Sequence, residues 1–378
     1  MERDQAMKFM HDLLRLMVQK KGSDLFVTAG FPPAIKIDGK VMPVSNQVLS
    51  PQHTAELARS IMNDRQSAEF EASKECNFAI SPAGIGRFRV NSFVQQGRIG
   101  VICRTINMTI PSLEELGLPP VLKDLAMTKR GLIIIVGGTG TGKTTSLASV
   151  LDYRNENSFG HIITIEDPIE YTHEHKNCII TQREVGIDTE DWGPALRNTL
   201  RQSPDVILMG EIRDRETMDY AVAFSETGHL CLATLHANSA NQAIDRIVNF
   251  FPEERRAQLL MDLSLNLRAL ISQRLIPKKD GRGRVAAIEV LLNSPLISDL
   301  IFKGEVQEIK EVMKKSRELG MQTFDQSLFD LYEAGKISYE DALRNADSIN
   351  DLRLQIKLYG KESKDRDLSS GIGHLDII

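Results

Sequence analysis

The densest chemistry in the chain lies in Gly137-Gly138-Thr139-Gly140-Thr141-Gly142-Lys143-Thr144-Thr145. Glycines at this spacing let the backbone curl until several N–H groups converge on one point. The lysine adds a mobile cation and the hydroxyl after it adds an oxygen ligand. Such a loop cradles a triphosphate, with Lys143 on the β and γ phosphates and Thr144 on Mg²⁺. The context is right for G-x-x-x-x-G-K-[ST]. Apolar Gly131-Leu-Ile-Ile-Ile-Val precedes the loop and a helical pattern, Ser146–Tyr153, follows it. A helix N-terminus there favours an anion. The alternative, a glycine-rich turn without a ligand, leaves Lys143 and the two threonines unexplained. The motif predicts a site for ATP with Mg²⁺.

Hydrolysis needs more than a cradle, so the acids come next. Ile163-Thr-Ile-Glu166-Asp167-Pro168-Ile-Glu170 and Asp205-Val-Ile-Leu-Met-Gly210-Glu211 each place a carboxylate just past an apolar run. In open α/β sheets ligands bind at that edge. One acid can hold Mg²⁺ through water while another orients or deprotonates the attacking water. Read singly, each is also compatible with a solvated loop-end residue. Asp205 begins its run, about one strand-length away, and reads as structural. Thr227-Gly228-His229-Leu-Cys-Leu-Ala-Thr234-Leu235-His236 adds two histidines seven residues apart. On a strand they face opposite sides and cannot share a metal. His236 at the strand end is either a core histidine or a neutral imidazole that senses the γ-phosphate.

These residues need an α/β frame. Gly131-Leu-Ile-Ile-Ile-Val, His161-Ile-Ile-Thr-Ile and Asp205-Val-Ile-Leu-Met are continuous apolar runs, as expected of parallel strands buried on both faces. Residues 243–275 and roughly 295–345 read as helices. Ahead of this region the texture is α+β. Met7, Met10, Leu13, Leu14, Met17 and Val18 recur at helical spacing, predicting a helix over 5–20. Asp24-Leu-Phe-Val-Thr reads as a strand, and Ala34–Met42 as a hairpin turning at Asp38-Gly39. Ser50-Pro51 starts a helix. Gly86-Arg-Phe-Arg-Val-Asn-Ser-Phe and Arg98–Ile106 alternate with period two, as half-buried strands do. Pro111, Gly117, Pro119 and Pro120 mark a linker. The division expected is 1–107, a linker 108–123, an ATPase domain 124–345 and an extension 346–378 whose end has little to pack against.

Composition bounds the function classes. The chain has 378 residues, 42% hydrophobic and 26% charged, with a net charge of −5. Wholesale disorder and a simple basic nucleic-acid binder are excluded. Residues 1–110 hold 14 Lys/Arg against 10 Asp/Glu, and the remainder 32 against 41, so two modules of opposite sign could attract each other within or between chains. Thr227–Ile244 lacks Asp, Glu, Lys and Arg but is too polar to span a bilayer. Four scattered cysteines fit a reducing cytosol, and a cytoplasmic protein is expected.

The stretches 137–145, Thr164–Glu170, Pro204–Arg213 and Thr227–His236, in this order, resemble the Walker A, Asp box, Walker B and His box of the secretion ATPases. They are most similar to the PilT/PilU retraction ATPases of type IV pili. Gly86-Arg-Phe-Arg-Val-Asn, Gln182-Arg-Glu-Val-Gly, Ala195-Leu-Arg-Asn-Thr-Leu-Arg and Gly283-Arg-Val-Ala-Ala extend the likeness over about residues 5–345. The resemblance implies a PAS-like α+β N-terminal domain, then a RecA-like P-loop ATPase domain with C-terminal helices, assembled as a ring homo-hexamer. It implies Glu211 as the Walker B catalytic acid, Glu166 as the Asp-box acid, and His229 and His236 as the His box. It also implies that Arg87, Arg89 and Arg104 reach a neighbour's nucleotide, although solvent-facing strand residues remain the other reading. Arg197, Arg201 and Arg213 are weaker candidates for that work.

The four-cysteine zinc site of extension ATPases cannot be built from Cys178 and Cys231. The Ala-Ile-Arg-Asn-Leu-Ile-Arg-Glu segment of PilT-like proteins is replaced, by Pro295–Phe302 or by Glu308–Lys315, without its two arginines. The resemblance is therefore to the PilU-like, accessory branch. It implies a PilT-like partner ATPase, an inner-membrane pilus platform protein, peripheral membrane attachment and no nucleic acid. The rival readings are an independent PilT-like motor, a nucleotide-gated structural subunit and a nucleic-acid-stimulated RecA-like ATPase.

Overall fold

The computed structural model describes residues 2–37, 39–106 and 109–360. Asp38 of the expected turn, Asn107 and Met108 of the expected junction, and the tail 361–378 lie outside them. Two compact units form: Met1–Thr109 with Ile169–His173, and Ile110–Pro168 with Glu174–Ile378.

The first unit runs α1 (Arg3–Gln19), β1 (Asp24–Val27), β2 (Ala34–Ile37), β3 (Lys40–Pro43), α2 (Pro51–Ser60), α3 (Asp64–Ser73), β4 (Glu75–Ile80), β5 (Arg87–Gln95) and β6 (Arg98–Ile106). Helix α1 buries Met10, Leu13, Leu14 and Met17 of the stripe read from the sequence, together with Ala6, whereas Met7 is half-buried and Val18 is exposed. Helix α2 begins with a reciprocal cap: His53 N donates to Ser50 Oγ at 3.1 Å and Ser50 N donates to His53 Nδ1 at 3.3 Å. The six strands form an antiparallel sheet in the order β3-β2-β1-β6-β5-β4. Phe88, Val90, Val101 and Cys103 share a core with α1 and α2. Because side chains alternate across a strand, Arg87 and Arg89 take the opposite face, where Arg89 pairs with Arg104.

The second unit contains α4 (Val121–Ala126), β7 (Gly131–Val136), α5 (Lys143–Asn157), β8 (Gly160–Glu166), β9 (Cys178–Glu184), α6 (Trp192–Thr199), β10 (Val206–Met209), α7 (Arg215–Glu226), β11 (Leu230–Leu235), α8 (Ala240–Asn249) and α9 (Glu253–Asn266). It continues with β12 (Leu267–Pro277), β13 (Arg284–Leu292), α10 (Pro295–Lys303), α11 (Ile309–Lys315), α12 (Phe324–Glu333), α13 (Tyr339–Asn345) and α14 (Ile349–Tyr359). The sheet order is β13-β12-β7-β11-β10-β8-β9, parallel except for β13 against β12. Strands β7, β10 and β11 are buried at every residue, which explains their unbroken apolar composition.

One departure from the sequence reading stands out. Residues 243–275 are not helical throughout: the helix ends at Asn266, and 267–277 is a strand between β7 and β13. A buried strand and a buried helix look alike in an apolar run of this length, and here tertiary pairing decides. The proline-rich segment packs against the second unit. Leu113 and Leu118 are buried in the core of the second unit, and Ser149 Oγ donates to Pro111 O at 2.7 Å. At the far end, Leu352 of α14 is buried beside Phe324 and Leu328 of α12.

Candidate nucleotide site

Four parallel strands deliver the chemistry to one edge. Adjacent in the order β7-β11-β10-β8, they end at Val136, Leu235, Met209 and Glu166. Hydrogen bonds carry the register past the strand ends: Gly137 N to Leu235 O (3.3 Å), Ile212 N to Thr234 O (2.8 Å) and Gly210 N to Ile165 O (2.7 Å). The phosphate loop, His236, Glu211 and Glu166 are thus brought to one edge by backbone geometry.

The loop closes on its own lysine. Lys143, 8% exposed, donates from Nζ to Gly137 O at 2.9 Å and to Gly138 O at 2.8 Å. Gly142 sits at φ +87°, in the left-handed region, and a Cβ there would come within 2.8 Å of Gln273 Nε2. Gln273, buried on β12, donates to Thr141 O at 2.8 Å and accepts from Ser146 Oγ at 2.7 Å. It pins the loop to the first turn of α5. The sequence reading missed it. The available signal was a polar pair, Ser272-Gln273, inside an apolar run.

Glu166, also buried, accepts from Thr164 Oγ1 at 2.7 Å and from Gln182 Nε2 at 3.2 Å. Gly210 leaves room for the backbone beside it, since a Cβ would lie 3.2 Å from the Glu166 Cα. Glu211 Oε1 accepts from Arg213 Nε, and its Oε2 lies 3.5 Å from His236 Nε2. Arg213 Nη2 also reaches Asp167 Oδ2 at 3.1 Å, and its guanidinium lies 5.3 Å from the centre of the Trp192 ring. Burial would lower the Arg213 pKa, but the Glu211 and Asp167 carboxylates outweigh it and raise it. Burial, then the positive charge of Lys143, lowers the His236 pKa, and Glu211 only partly opposes them. The imidazole is therefore neutral near pH 7.

His229 is not brought to this edge. It precedes β11, where its Nδ1 lies 3.1 Å from Thr227 Oγ1 and 3.2 Å from Phe224 O. At the rise of an extended strand it is roughly 20 Å from His236. Asp205 sits at the same far end, accepting from His161 N at 2.8 Å. Arg197 and Arg201 are exposed on α6 and the turn after it. Arg213 lies on Glu211 of its own chain. Arg87, Arg89 and Arg104 belong to the first unit. There Arg104 Nε donates to Asp24 Oδ1 at 2.9 Å while its side chain stays 71% exposed.

A cavity of about 490 Å³ flanks the loop on the α5 side. Gly142, Thr145 and Ser146 form one wall, Leu116, Leu118, Leu275 and Val285 give apolar surface, and Lys278, Arg284 and Lys336 stand around it. A purine and ribose match that mixture of apolar wall and polar rim. For Mg²⁺ the donors fit: a hydroxyl at Thr144 and carboxylates at Glu166 and Glu211 are hard oxygens, and the ion takes few protein ligands beside water and phosphate.

The family model described as "Type II/IV secretion system protein" matches residues 4–344. The type IV pilus ATPase PilU of Pseudomonas aeruginosa is 63% identical over 358 residues, covering 95% of this chain and 94% of that one. PilT of the same organism, named a retraction ATPase, is 44% identical over 335 residues, covering 89% and 97%. The crystal structure of the pilus retraction motor PilT with bound ADP superposes with a TM-score of 0.86 at 40% identity, covering 91% and 98%.

Two outcomes follow from the geometry. Replacing Gln273 by Leu removes two buried hydrogen bonds from the loop and raises KM for ATP about tenfold or more; an unchanged KM in steady-state assays refutes that role. Because the His236 pKa is lowered in the nucleotide-free chain, the acid limb of kcat/KM that it controls lies below pH about 6.5. His236→Gln, which cannot titrate, removes that limb. A limb centred above 6.5, or one unaltered by the substitution, contradicts a neutral imidazole here.

Proposed function

We infer the role of this chain from one premise: it belongs to the type II/IV secretion ATPase family, in its PilT/PilU branch. It is an ATPase of the type IV pilus, of the PilU accessory kind, serving pilus retraction and twitching motility. The observation that carries the chemistry is the shared strand edge, where Lys143, Glu166, Glu211 and His236 converge.

The proposed division of labour starts at the loop. The amides of 137–145 and Lys143 bind the phosphates, Lys143 exchanging loop carbonyls for phosphate oxygens. Thr144, Glu166 and Glu211 would hold Mg²⁺, directly or through water. Bound Mg²⁺ supplies charge neutralisation on the β and γ phosphates. Water attacks the γ-phosphorus, the bond to the β–γ bridging oxygen breaks, and ADP leaves with that oxygen. Glu211 accepts the proton of the attacking water. Before it can, its carboxylate must exchange Arg213 for that water. Neutral His236, beside Glu211, donates to the γ-phosphate or to the phosphate released. His229, at the other end of β11, holds the strand's entry and acts on the site only through β11.

We further propose a ring homo-hexamer in which Arg87, Arg89 and Arg104 face the nucleotide of a neighbouring copy. They lie on the sheet face opposite the first unit's core, and fixed guanidiniums suit charge on a transferring phosphoryl group. A PilT-like ATPase and a pilus platform protein of the inner membrane are the proposed partners, with the chain cytoplasmic and peripheral at that membrane. Among the described residues no helix is long and apolar enough to cross a bilayer.

Phosphate release tests the catalytic acid. Glu211→Gln keeps ATP binding and loses turnover by about 10²-fold or more; background rates in both proteins would instead favour a nucleotide-gated structural subunit. Mixing tests the arginine. Arg104→Ala and Lys143→Ala subunits, each inactive alone, regain partial activity when co-assembled if Arg104 acts on its neighbour, and no recovery removes Arg104 from that role.

A further inference from the structure

Arg274 follows Gln273 on β12, so it projects from the other side of the strand. Its guanidinium makes three hydrogen bonds: Nη2 to Asn238 O (3.1 Å), Nη1 to Asn345 O (2.6 Å) and Nη2 to Asp347 Oδ1 (2.8 Å). It also lies over the Phe324 ring, 3.9 Å from the centroid. Asn238 is two residues past His236. Asn345 closes α13, and Asp347 lies between α13 and α14. One rigid side chain thus ties the segment after β11 to the C-terminal helices.

Both ends of the link are fixed. Asp347 Oδ2 accepts from Lys310 Nζ of α11 at 2.6 Å, and the amides of Asp347 and Ser348 donate to Asp325 of α12 at 2.8 and 3.1 Å. Burial would raise the Asp347 pKa, but Lys310 and Arg274 outweigh it and lower it, so the carboxylate is charged. On the His236 side, Ala240 N donates to the buried Glu289 at 2.7 Å, and Asn238 N donates to Gln242 Oε1 at 3.2 Å. A planar guanidinium cannot follow one partner without leaving or dragging the others.

We propose that Arg274 is a positioning residue that couples the His236–Asn238 segment to helices α11–α14, so that loss of the γ-phosphate is felt in the C-terminal helices. The inference rests on the reading of His236 as a phosphate sensor. Binding ATP does not require this contact. Its consequence is mechanical: the segment that meets the phosphate and helices α11–α14 move as one.

The test uses the full-length assembled protein. Amide hydrogen exchange over residues 341–359 is measured with Mg²⁺ and either ADP or a non-hydrolysable ATP analogue, alongside steady-state turnover. In wild type, exchange differs between the two nucleotides. In Arg274→Met that difference is lost and kcat falls about tenfold, the scale of one charge-assisted bond, with KM for ATP within about twofold. Asp347→Asn does the same, and the double variant is no worse than either single one. A nucleotide-dependent difference that survives Arg274→Met, or that is absent from wild type, overturns the proposal, as does a raised KM with unchanged kcat. Should Arg274→Met not fold, Arg274→Lys keeps charge and stem without the fork. At least half of the difference must then vanish, and an undiminished one is a refutation. Wild type that binds nucleotide without turnover would defeat the functional reading, whereas the exchange comparison would still decide this one.

Discussion

A nearly buried ammonium organises the site. Lys143 at 8% exposure carries a charge whose removal from water costs several kcal/mol. Two loop carbonyls at 2.8–2.9 Å offset part of that cost. They can do so only if the loop holds its curl, which depends on the left-handed φ at Gly142 and on Gln273 bridging Thr141 and Ser146. Phosphate oxygens are better partners for an ammonium than neutral carbonyls, because the bond becomes charge-assisted at both ends. The loop is therefore built to hold the cation well enough to fold and loosely enough to hand it over.

The same cation sets the protonation of its surroundings. By lowering the His236 pKa together with burial, Lys143 keeps the imidazole neutral, so one ring nitrogen donates and the other accepts. Glu211 sits between this neutral ring and the charged Arg213. Arg213 in turn spans Glu211 and Asp167, so the loops that follow β10 and β8 share one counter-charge. Rearrangement at either carboxylate is felt by the other, which gives the two acids a common electrostatic state rather than independent roles.

Much of this was legible in the sequence because it is local. The phosphate loop, the acids after apolar runs, the stripe of α1 and the Ser50 cap are set by neighbours within a few residues. What escaped depends on distant partners. Strand β12 reads as helix until β7 and β13 are seen to flank it. Gln273 looks like an ordinary polar residue until Thr141, 132 positions away, accepts its hydrogen bond. Arg213 is among the weaker candidates for a neighbour's nucleotide in the sequence, whereas its own Glu211 and Asp167 occupy it here. The histidines show the converse: spacing alone placed them on opposite sides of a strand, and the strand's length then separated them.

The placement of β12 explains why the loop and the C-terminal helices can share a fate. Gln273 and Arg274 are consecutive, so the pleat turns one to the phosphate loop and the other to Asn238 and Asp347. A one-residue slip of β12 against β7 would exchange these faces and break both sets of bonds. The pairing of Ile271 with Ile135 and of Ser272 with Val136 fixes that register at the start of the loop. The β-bulge between Leu267 and Ala269 absorbs the irregularity at the strand's other end, away from the loop. A buried strand that carries only packing could tolerate such slippage more readily. This one is held in register because each face must meet a different polar partner, and that requirement links the geometry of nucleotide binding to the geometry of the helices that follow.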